Sequence, residues 1–173
     1  DNKLIRATDM TTKDLMDYHN NLPRMKTNCT EVDDLFGGGL IPEAVYEIYG
    51  EFGSGKTQFC LSLSAECLAK DEKIIWIDCE DVYKRQWIDC EDTFRPNRLI
   101  EIMVARGLVA DASMAIEKLD NIKYFHCPTT EQMLGVVNSL SKILLEFKPR
   151  MVVLDGAIGQ FREEYLGRGT LSE

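Results

Sequence analysis

The stretch Gly50-Glu51-Phe52-Gly53-Ser54-Gly55-Lys56-Thr57 decides how this chain folds, because it fits the pattern G-x-x-x-x-G-K-[ST]. A β-rich run, Ala44–Tyr49, precedes it, and apolar residues recur at helical spacing over Lys56–Lys70. Glycines let backbone N–H groups turn inward, and the start of the following helix presents its positive dipole. The stretch therefore predicts a strand, a phosphate-binding loop and a helix, in that order.

Each part of this loop has a chemical role in binding a nucleotide such as ATP. Lys56 is placed to reach the β and γ phosphates, and Thr57 to ligate Mg²⁺. A second Mg²⁺ ligand must come from the end of a nearby strand, and Asp155 follows the apolar run Met151–Leu154. A glycine-rich turn without a ligand is the alternative, which the flanking pattern disfavours. The predicted nucleotide contacts in the loop are Gly50, Glu51, Phe52, Gly53, Ser54, Gly55, Lys56, Thr57 and Gln58.

Strands and helices alternate along the rest of the chain, and the strands are continuous apolar runs. This pattern predicts an α/β fold with a mostly parallel sheet and helices on both of its faces. The predicted helices are Thr11 or Thr12 to Asn20, Glu31–Phe36 capped by Thr30, Lys56–Lys70, Pro96–Arg106, Ala112–Leu119 and Glu131–Phe147 capped by Thr129 or Thr130. The predicted strands are Ala44–Tyr49, Lys73–Asp78 or its copy Trp87–Cys90, Ile122–His126 and Arg150–Leu154.

Composition restricts the class of protein. The chain has 173 residues, and 20 basic against 29 acidic residues leave a net charge of −9, so a surface that coats nucleic acid everywhere is excluded. No apolar run approaches the ~18 residues of a membrane span, and no secretory leader opens the sequence. Six cysteines without a C-x-x-C pair indicate reduced thiols and a cytosolic setting. Because the sequence lacks an initiator Met, we expect a fragment.

The segment WIDCED occurs twice, at Trp76–Asp81 and at Trp87–Asp92, with a period of eleven residues. A duplication explains this better than a coiled-coil repeat, because deleting residues 76–86 leaves a continuous strand-like reading. ATP hydrolysis needs a group that activates water, and a Glu at the end of the strand beside the loop is well placed. Glu91 is the predicted catalytic residue because it continues into the stretch TFRP, and Glu80 is the alternative.

Three stretches together resemble the RadA-type archaeal and eukaryotic recombinases of the RecA superfamily: GEFGSGKTQ at 50–58, IDCEDTFRPNR at 88–98 and FREEYLGRGTLSE at 161–173. The second and third stretches make the resemblance much more specific than the phosphate loop alone. It implies a RecA-like P-loop ATPase core that is truncated before the later strands of the sheet. Residues 1–40 would hold a linker, a docking segment and a lead-in helix, and residues 41–173 a partial core that includes the duplicated insert.

The resemblance also implies an ATP-dependent DNA recombinase with ATP and Mg²⁺ as cofactors. Such a protein forms filaments on single-stranded DNA and exchanges strands with homologous double-stranded DNA during repair. By position, Glu91 activates the attacking water, Arg98 packs on the adenine ring, and Arg162 and Arg168 contact DNA. The expected location is the cytoplasm near the nucleoid in an archaeon or the nucleus in a eukaryote. The chain as given is expected to be inactive in strand exchange.

Departures from the family pattern keep a second function open. Gly156 stands where the family carries a hydroxyl residue, and the docking strand is matched only loosely, by Met10–Lys13 or by Leu4–Ala7. A paralogue that binds ATP and regulates recombination without strand exchange is therefore the alternative. A RecA-like phosphotransferase would share the phosphate loop, but the stretches TFRPNR and YLGRG argue against it.

Overall fold

The computed structural model describes residues 11–51, 53–79 and 94–157. The chain divides into two compact units, Asp1–Glu47 and Ile48–Glu173. Several predicted features lie outside the described residues: Phe52, Glu80, Glu91, Arg162, Arg168, the docking candidate Leu4–Ala7, Met10 of the rival candidate, and the second WIDCED copy at 87–92.

The first unit holds two short helices, α1 over Thr12–Asn21 and α2 over Thr30–Leu35. Thr11 caps α1, as predicted. Its hydroxyl accepts a hydrogen bond from the Asp14 N–H at 3.2 Å, and the Asp14 carboxylate accepts one from the Thr11 N–H at 3.0 Å. This reciprocal pair satisfies two N–H groups that the helix itself cannot, and so fixes where α1 begins.

The predicted cap of α2 is wrong. Thr30 is the first residue inside the helix, and Cys29 before it makes no side-chain cap bond. Asp33 instead holds the preceding turn, because its carboxylate accepts from the Thr27 N–H at 2.8 Å and from the Thr27 hydroxyl at 3.0 Å. Asp33 is buried, so these two bonds also meet the requirement that a buried carboxylate be hydrogen-bonded.

The predicted strand over Ala44–Tyr49 is also wrong, because this segment has no strand geometry. Val45 is 99% exposed and Tyr49 is 87% exposed. A strand needs a neighbour for its backbone N–H and C=O groups, and none of the described strands pairs with this segment. The prediction relied on β-branched and aromatic residues. These residues favour a strand because they pack well against a neighbouring strand, so without that neighbour the composition does not produce one.

The second unit alternates helices and strands, and its described elements end within one residue of the predicted bounds. Pro96 opens one helix at its first position, and Thr129 caps another by accepting from the Gln132 N–H at 3.3 Å. None of the described helices is both long enough and apolar enough to cross a membrane. The elements are α3 Lys56–Ala69, β1 Ile74–Asp78, α4 Pro96–Ala105, α5 Ala112–Lys118, β2 Ile122–His126, α6 Thr130–Phe147 and β3 Met151–Asp155.

The three described strands form one parallel sheet in the order β2-β1-β3, which confirms the predicted α/β class. Asp78, at the end of β1, is in register with His126 on one side and with Asp155 on the other. The ladder continues one residue further: the Cys79 N–H donates to the Asp155 carbonyl at 2.9 Å, and the Cys127 N–H to the Asp78 carbonyl at 2.8 Å. The carboxyl ends of all three strands therefore meet at one edge, where open α/β sheets bind their ligands.

Strand β1 contains the first copy of WIDCED rather than the second. Trp76, Ile77 and Asp78 belong to the strand, and all of its residues are buried. The first copy directly follows Ile74-Ile75, so the apolar run is continuous, whereas Lys84-Arg85-Gln86 precede the second copy. A central parallel strand needs apolar side chains on both faces, and this requirement selects the first copy.

Strand β1 is covered on both faces, while its two neighbours are edge strands among the described residues. Ile75 and Ile77 pack toward α6, and by the alternation of a strand Trp76 points to the opposite face. Val152 and Leu154 of β3 stay partly exposed because no described strand lies beyond them. The cluster under α6 contains Ile75, Ile77, Cys79, Cys127, Met133, Phe125, Val136, Leu140, Ile143, Phe147 and Ala157.

Candidate nucleotide-binding site

The loop that precedes α3 depends on glycine at three positions. Gly53 has φ +72° and Gly55 has φ +88°, a left-handed conformation that other residues rarely adopt. At Gly50 an added Cβ would lie 2.8 Å from the Ser54 hydroxyl oxygen, which is closer than van der Waals contact allows. Gly55 is also the N-cap of α3 and has no side chain to cap the helix, so the N-terminus of α3 presents its positive dipole to the loop, where an anion would be stabilised.

Lys56 places a positive charge directly over this loop. Its Nζ donates to the carbonyl oxygens of Gly50 at 3.1 Å and Glu51 at 2.8 Å, and it lies 3.5 Å from the Ser54 hydroxyl oxygen. These acceptors are neutral, so none of them forms an ion pair that an anionic ligand would have to displace. The backbone of the loop thus holds the lysine where a phosphate chain on the N-terminus of α3 would meet it.

Thr57 and Asp155 form the second half of the site. The Thr57 hydroxyl donates to the Asp155 carboxylate at 2.8 Å, and this contact joins the first turn of α3 to the end of β3. Thr57 is buried, whereas Asp155 is partly exposed and can reach a ligand. The pairing brings together the two residues that the sequence predicts as Mg²⁺ ligands.

The donor atoms at this point fit Mg²⁺. Mg²⁺ prefers oxygen ligands and usually binds through one or two carboxylates together with substrate phosphates and water. Burial, and then the charge of Asp155, raises the pKa of Cys60 to about 11, so the nearby sulfur stays a protonated thiol at neutral pH. Among the described residues no three His, Cys, Asp or Glu side chains form a metal cluster. Thr57 and Asp155 would therefore hold the ion together with the nucleotide.

Arg98, the predicted adenine contact, lies beside the start of α3. Its Nε donates to Gln58 Oε1 at 3.1 Å, and its Nη1 donates to Glu101 Oε2 at 2.9 Å. The side chain of Arg98 is 50% exposed. Gln58 follows directly after Lys56 and Thr57 in α3, so the guanidinium is anchored to the same helical turn that carries the phosphate-binding residues.

The sequence reasoning missed Asp78 and Tyr124 at the same edge of the sheet. Asp78 is 2% exposed, and its carboxylate accepts from the Tyr124 hydroxyl at 2.8 Å. The ring of Phe94 lies against both Trp76 and Tyr124, with centroids 4.9 Å and 5.1 Å away. One signal was available: Asp78, like Asp155, is an acid at the end of an apolar strand.

Residues 80–93 carry both glutamate candidates, and the described residues on either side of this segment contact the sheet. Cys79, just before this segment, bonds to β3, and Phe94, just after it, stacks on β1 and β2. Glu80 and Glu91 themselves lie outside the described residues, so their catalytic role stays a prediction. The same holds for Phe52, Arg162 and Arg168.

A glycine loop at a helix N-terminus, a lysine above it and a Thr–Asp pair at the carboxyl edge of a parallel sheet define a P-loop nucleotide-binding α/β protein. Residues 19–173 match the family model described as Rad51, and the chain belongs to the Rad51 family. This family consists of RecA-superfamily recombinases, which are DNA-dependent ATPases that bind ATP with Mg²⁺ and act in DNA recombination and repair. The match implies a RecA-like core for this chain.

Proposed function

We propose that this protein is an ATP-dependent recombinase of the RadA type, which forms filaments on single-stranded DNA and promotes homologous pairing and strand exchange. The single observation that carries the proposal is the joint placement of Lys56 and the Thr57–Asp155 pair at one edge of the sheet. Family membership adds the DNA-directed part of the function.

The first step of the mechanism is an exchange of hydrogen bonds at Lys56. Its ammonium leaves the carbonyls of Gly50 and Glu51 for phosphate oxygens, where the charge-assisted bond is stronger. The N–H groups at the start of α3 hold the same phosphates. Thr57 and Asp155 would hold Mg²⁺, which would neutralise charge on the phosphate oxygens when bound.

The hydrolytic step needs a base for the attacking water, and Glu91 is our first candidate, with Glu80 as the second. Both residues belong to the segment that lies in sequence between Cys79 and Phe94. In this proposal Arg98 covers one face of the adenine, because a planar guanidinium stacks well on an aromatic ring. Arg162 and Arg168 contact the DNA backbone, with single-stranded DNA bound first and double-stranded DNA as the exchange partner.

A second function, an ATP-binding paralogue that regulates recombination, is favoured by Gly156. This residue directly follows Asp155 and has φ +76°, a conformation that a Ser or Thr side chain rarely adopts. A glycine with this φ supplies no hydroxyl beside Asp155. The placement of Lys56, Thr57 and Asp155 favours the catalytic function instead.

ATP turnover with and without single-stranded DNA tests the proposal. We expect DNA to stimulate turnover, and we expect Lys56→Ala to reduce it by about 100-fold or more, the usual effect of losing one transition-state donor. Lys142→Ala is the matched control, because Lys142 is 80% exposed on α6 and pairs with Glu146 at 4.0 Å, away from the loop. ATP binding without stimulation by DNA would favour the regulatory paralogue. Unchanged turnover in Lys56→Ala would refute the phosphate-binding role of the loop.

A further inference from the structure

We propose that Gln58 and Glu101 are positioning residues that orient the Arg98 guanidinium against the base of the bound nucleotide. This inference rests on the proposed function, in which Arg98 covers the base. It adds that Arg98 does not act alone: two neighbouring side chains hold its plane before the nucleotide arrives, and one of them, Glu101, has no other partner among the described contacts.

The geometry fixes the plane of the guanidinium. Gln58 accepts from Nε, and Glu101 accepts from Nη1, which is a different donor of the same planar group. Gln58 belongs to α3, whereas Glu101 lies one turn after Arg98 in α4. Two acceptors on two helices restrain rotation about the long Arg98 side chain, which would otherwise sample many rotamers.

The position of Gln58 connects this restraint to the phosphate site. Gln58 and Lys56 are two residues apart, or about 3 Å along the axis of α3. Lys56 faces the loop, and Gln58 holds the guanidinium. Half of the Arg98 side-chain surface remains exposed, so the plane has room for a flat ligand on a face that neither acceptor uses. A purine stacked there would extend from a phosphate chain held by the loop.

Glu101 is negatively charged and forms an exposed ion pair with Arg98 on α4. An exposed helical ion pair contributes little to stability, so a purely structural role for Glu101 predicts almost no effect of its removal. A positioning role predicts weaker binding of the base and unchanged binding of the phosphate chain. The two ligands that separate these cases are ATP, which carries a base, and inorganic tripolyphosphate, which carries the phosphate chain without one.

The test is titration calorimetry of both ligands, with Mg²⁺, against the protein and its variants. We expect Glu101→Ala to raise the Kd of ATP by about 2- to 5-fold, the range of an exposed cation–π contact, and to leave the Kd of tripolyphosphate unchanged. Glu101→Gln, which keeps an acceptor oxygen, should recover part of the ATP affinity. Gln58→Ala should resemble Glu101→Ala.

The matched control is Glu146→Ala. Glu146 has the same side-chain exposure as Glu101, 63%, and also pairs with a cation on its own helix, but it lies on α6. This variant should bind both ligands as the unmodified protein does. If Glu146→Ala and Glu101→Ala have equal effects on ATP, the positioning role is overturned.

A double-mutant cycle gives the decisive result. If Glu101 acts through Arg98, Arg98→Ala with Glu101→Ala should bind ATP no more weakly than Arg98→Ala alone. Additive losses, or equal losses for ATP and tripolyphosphate, would overturn the inference. If the unmodified protein binds tripolyphosphate but binds ATP no more tightly, the base contact fails while the phosphate loop stands. If it binds neither ligand, the proposed function itself fails.

Discussion

Replacing Tyr124 with Phe removes one hydroxyl and little else. The hydroxyl donates to the carboxylate of Asp78, which is 2% exposed, while the ring stacks on Phe94 at 5.1 Å and should stay in place. A hydrogen bond to a charged group contributes about 1.5–3 kcal/mol. Tyr124 is 42% exposed, so water can partly replace the hydroxyl. We therefore expect the lower end, a loss of about 1.5 kcal/mol in the free energy of unfolding.

Urea unfolding measures this loss, with the fluorescence of buried Trp76 and far-ultraviolet circular dichroism as probes. The midpoint should fall while the slope m stays constant, because the surface exposed on unfolding does not change. Tyr49→Phe is the matched control: Tyr49 belongs to the same unit and is 87% exposed, so its change should stay within about 0.5 kcal/mol. Equal effects of the two substitutions would refute the role of the Tyr124 hydroxyl.

A second comparison assigns the loss to Asp78. In an Asp78→Ala background the Tyr124 hydroxyl has lost this acceptor, so adding Tyr124→Phe should cost only about 0.5 kcal/mol instead of about 1.5 kcal/mol. The coupling energy of the two substitutions should then reach about 1 kcal/mol, as for residues in direct contact. Full additivity would show that the Tyr124 hydroxyl stabilises the fold through a group other than Asp78.

Three further predictions concern the loop, the catalytic residue and a buried thiol. Gly55→Ala should lower the free energy of unfolding by about 1–2 kcal/mol in urea titrations, because of the left-handed φ of +88°, whereas Gly135→Ala, in open space on α6, should raise it. Of Glu80→Gln and Glu91→Gln, one should lower single-turnover ATP cleavage by about 100-fold or more and the other should not; equal rates would exclude both as the base. Burial raises the pKa of Cys67 from 9.0 to about 12. Between these two values the folded chain keeps a proton that the unfolded chain releases. The thiol's contribution to stability is therefore complete below pH 9 and is lost as the pH rises toward 12. Between pH 8 and pH 10 this loss should be about 1 kcal/mol in urea titrations, and Cys67→Ala should lack it; identical pH profiles would contradict it.

The phosphate loop could be predicted from sequence because its determinants are local. Gly53 and Gly55 adopt the left-handed backbone conformation, and Lys56 is the first residue of α3. Each of these features depends on a few residues that are close in the sequence. The helix bounds followed from the same kind of information, such as Pro96 at the start of α4. Even Asp155 was identifiable, since an acid after an apolar strand needs only the order of the chain.

The predictions from sequence failed for features that depend on a partner far away in the sequence. Ala44–Tyr49 has the composition of a strand, but a strand forms only if a neighbour accepts its backbone groups. The bond from Tyr124 to Asp78 needs the parallel register of β1 and β2, which no local pattern contains. The pair of Arg98 with Glu101 is the exception, because a spacing of three residues in a helix predicts such a contact, and it could have been found.

The register of the sheet also bears on which of Glu80 and Glu91 is the catalytic base. Deleting residues 76–86 and deleting residues 80–90 leave the same sequence, so the sequence alone cannot assign the extra eleven residues. The structure places the first copy in β1 and stacks Phe94 on the sheet, so the extra residues fall between Cys79 and Phe94.

Glu91 was preferred because it leads into TFRP, the second residue of which is Phe94, stacked on the sheet. Glu80 directly follows Cys79, which is bonded to β3 at the level of Asp155. In the shortened sequence one glutamate satisfies both conditions at once, next to Cys79 and three residues before Phe94. The duplication separates these conditions in the sequence: Glu80 is next to Cys79, and Glu91 is three residues before Phe94. Whichever glutamate drives hydrolysis therefore identifies which neighbour in the sequence matters for the base, Cys79 at the end of β1 or Phe94 on the sheet.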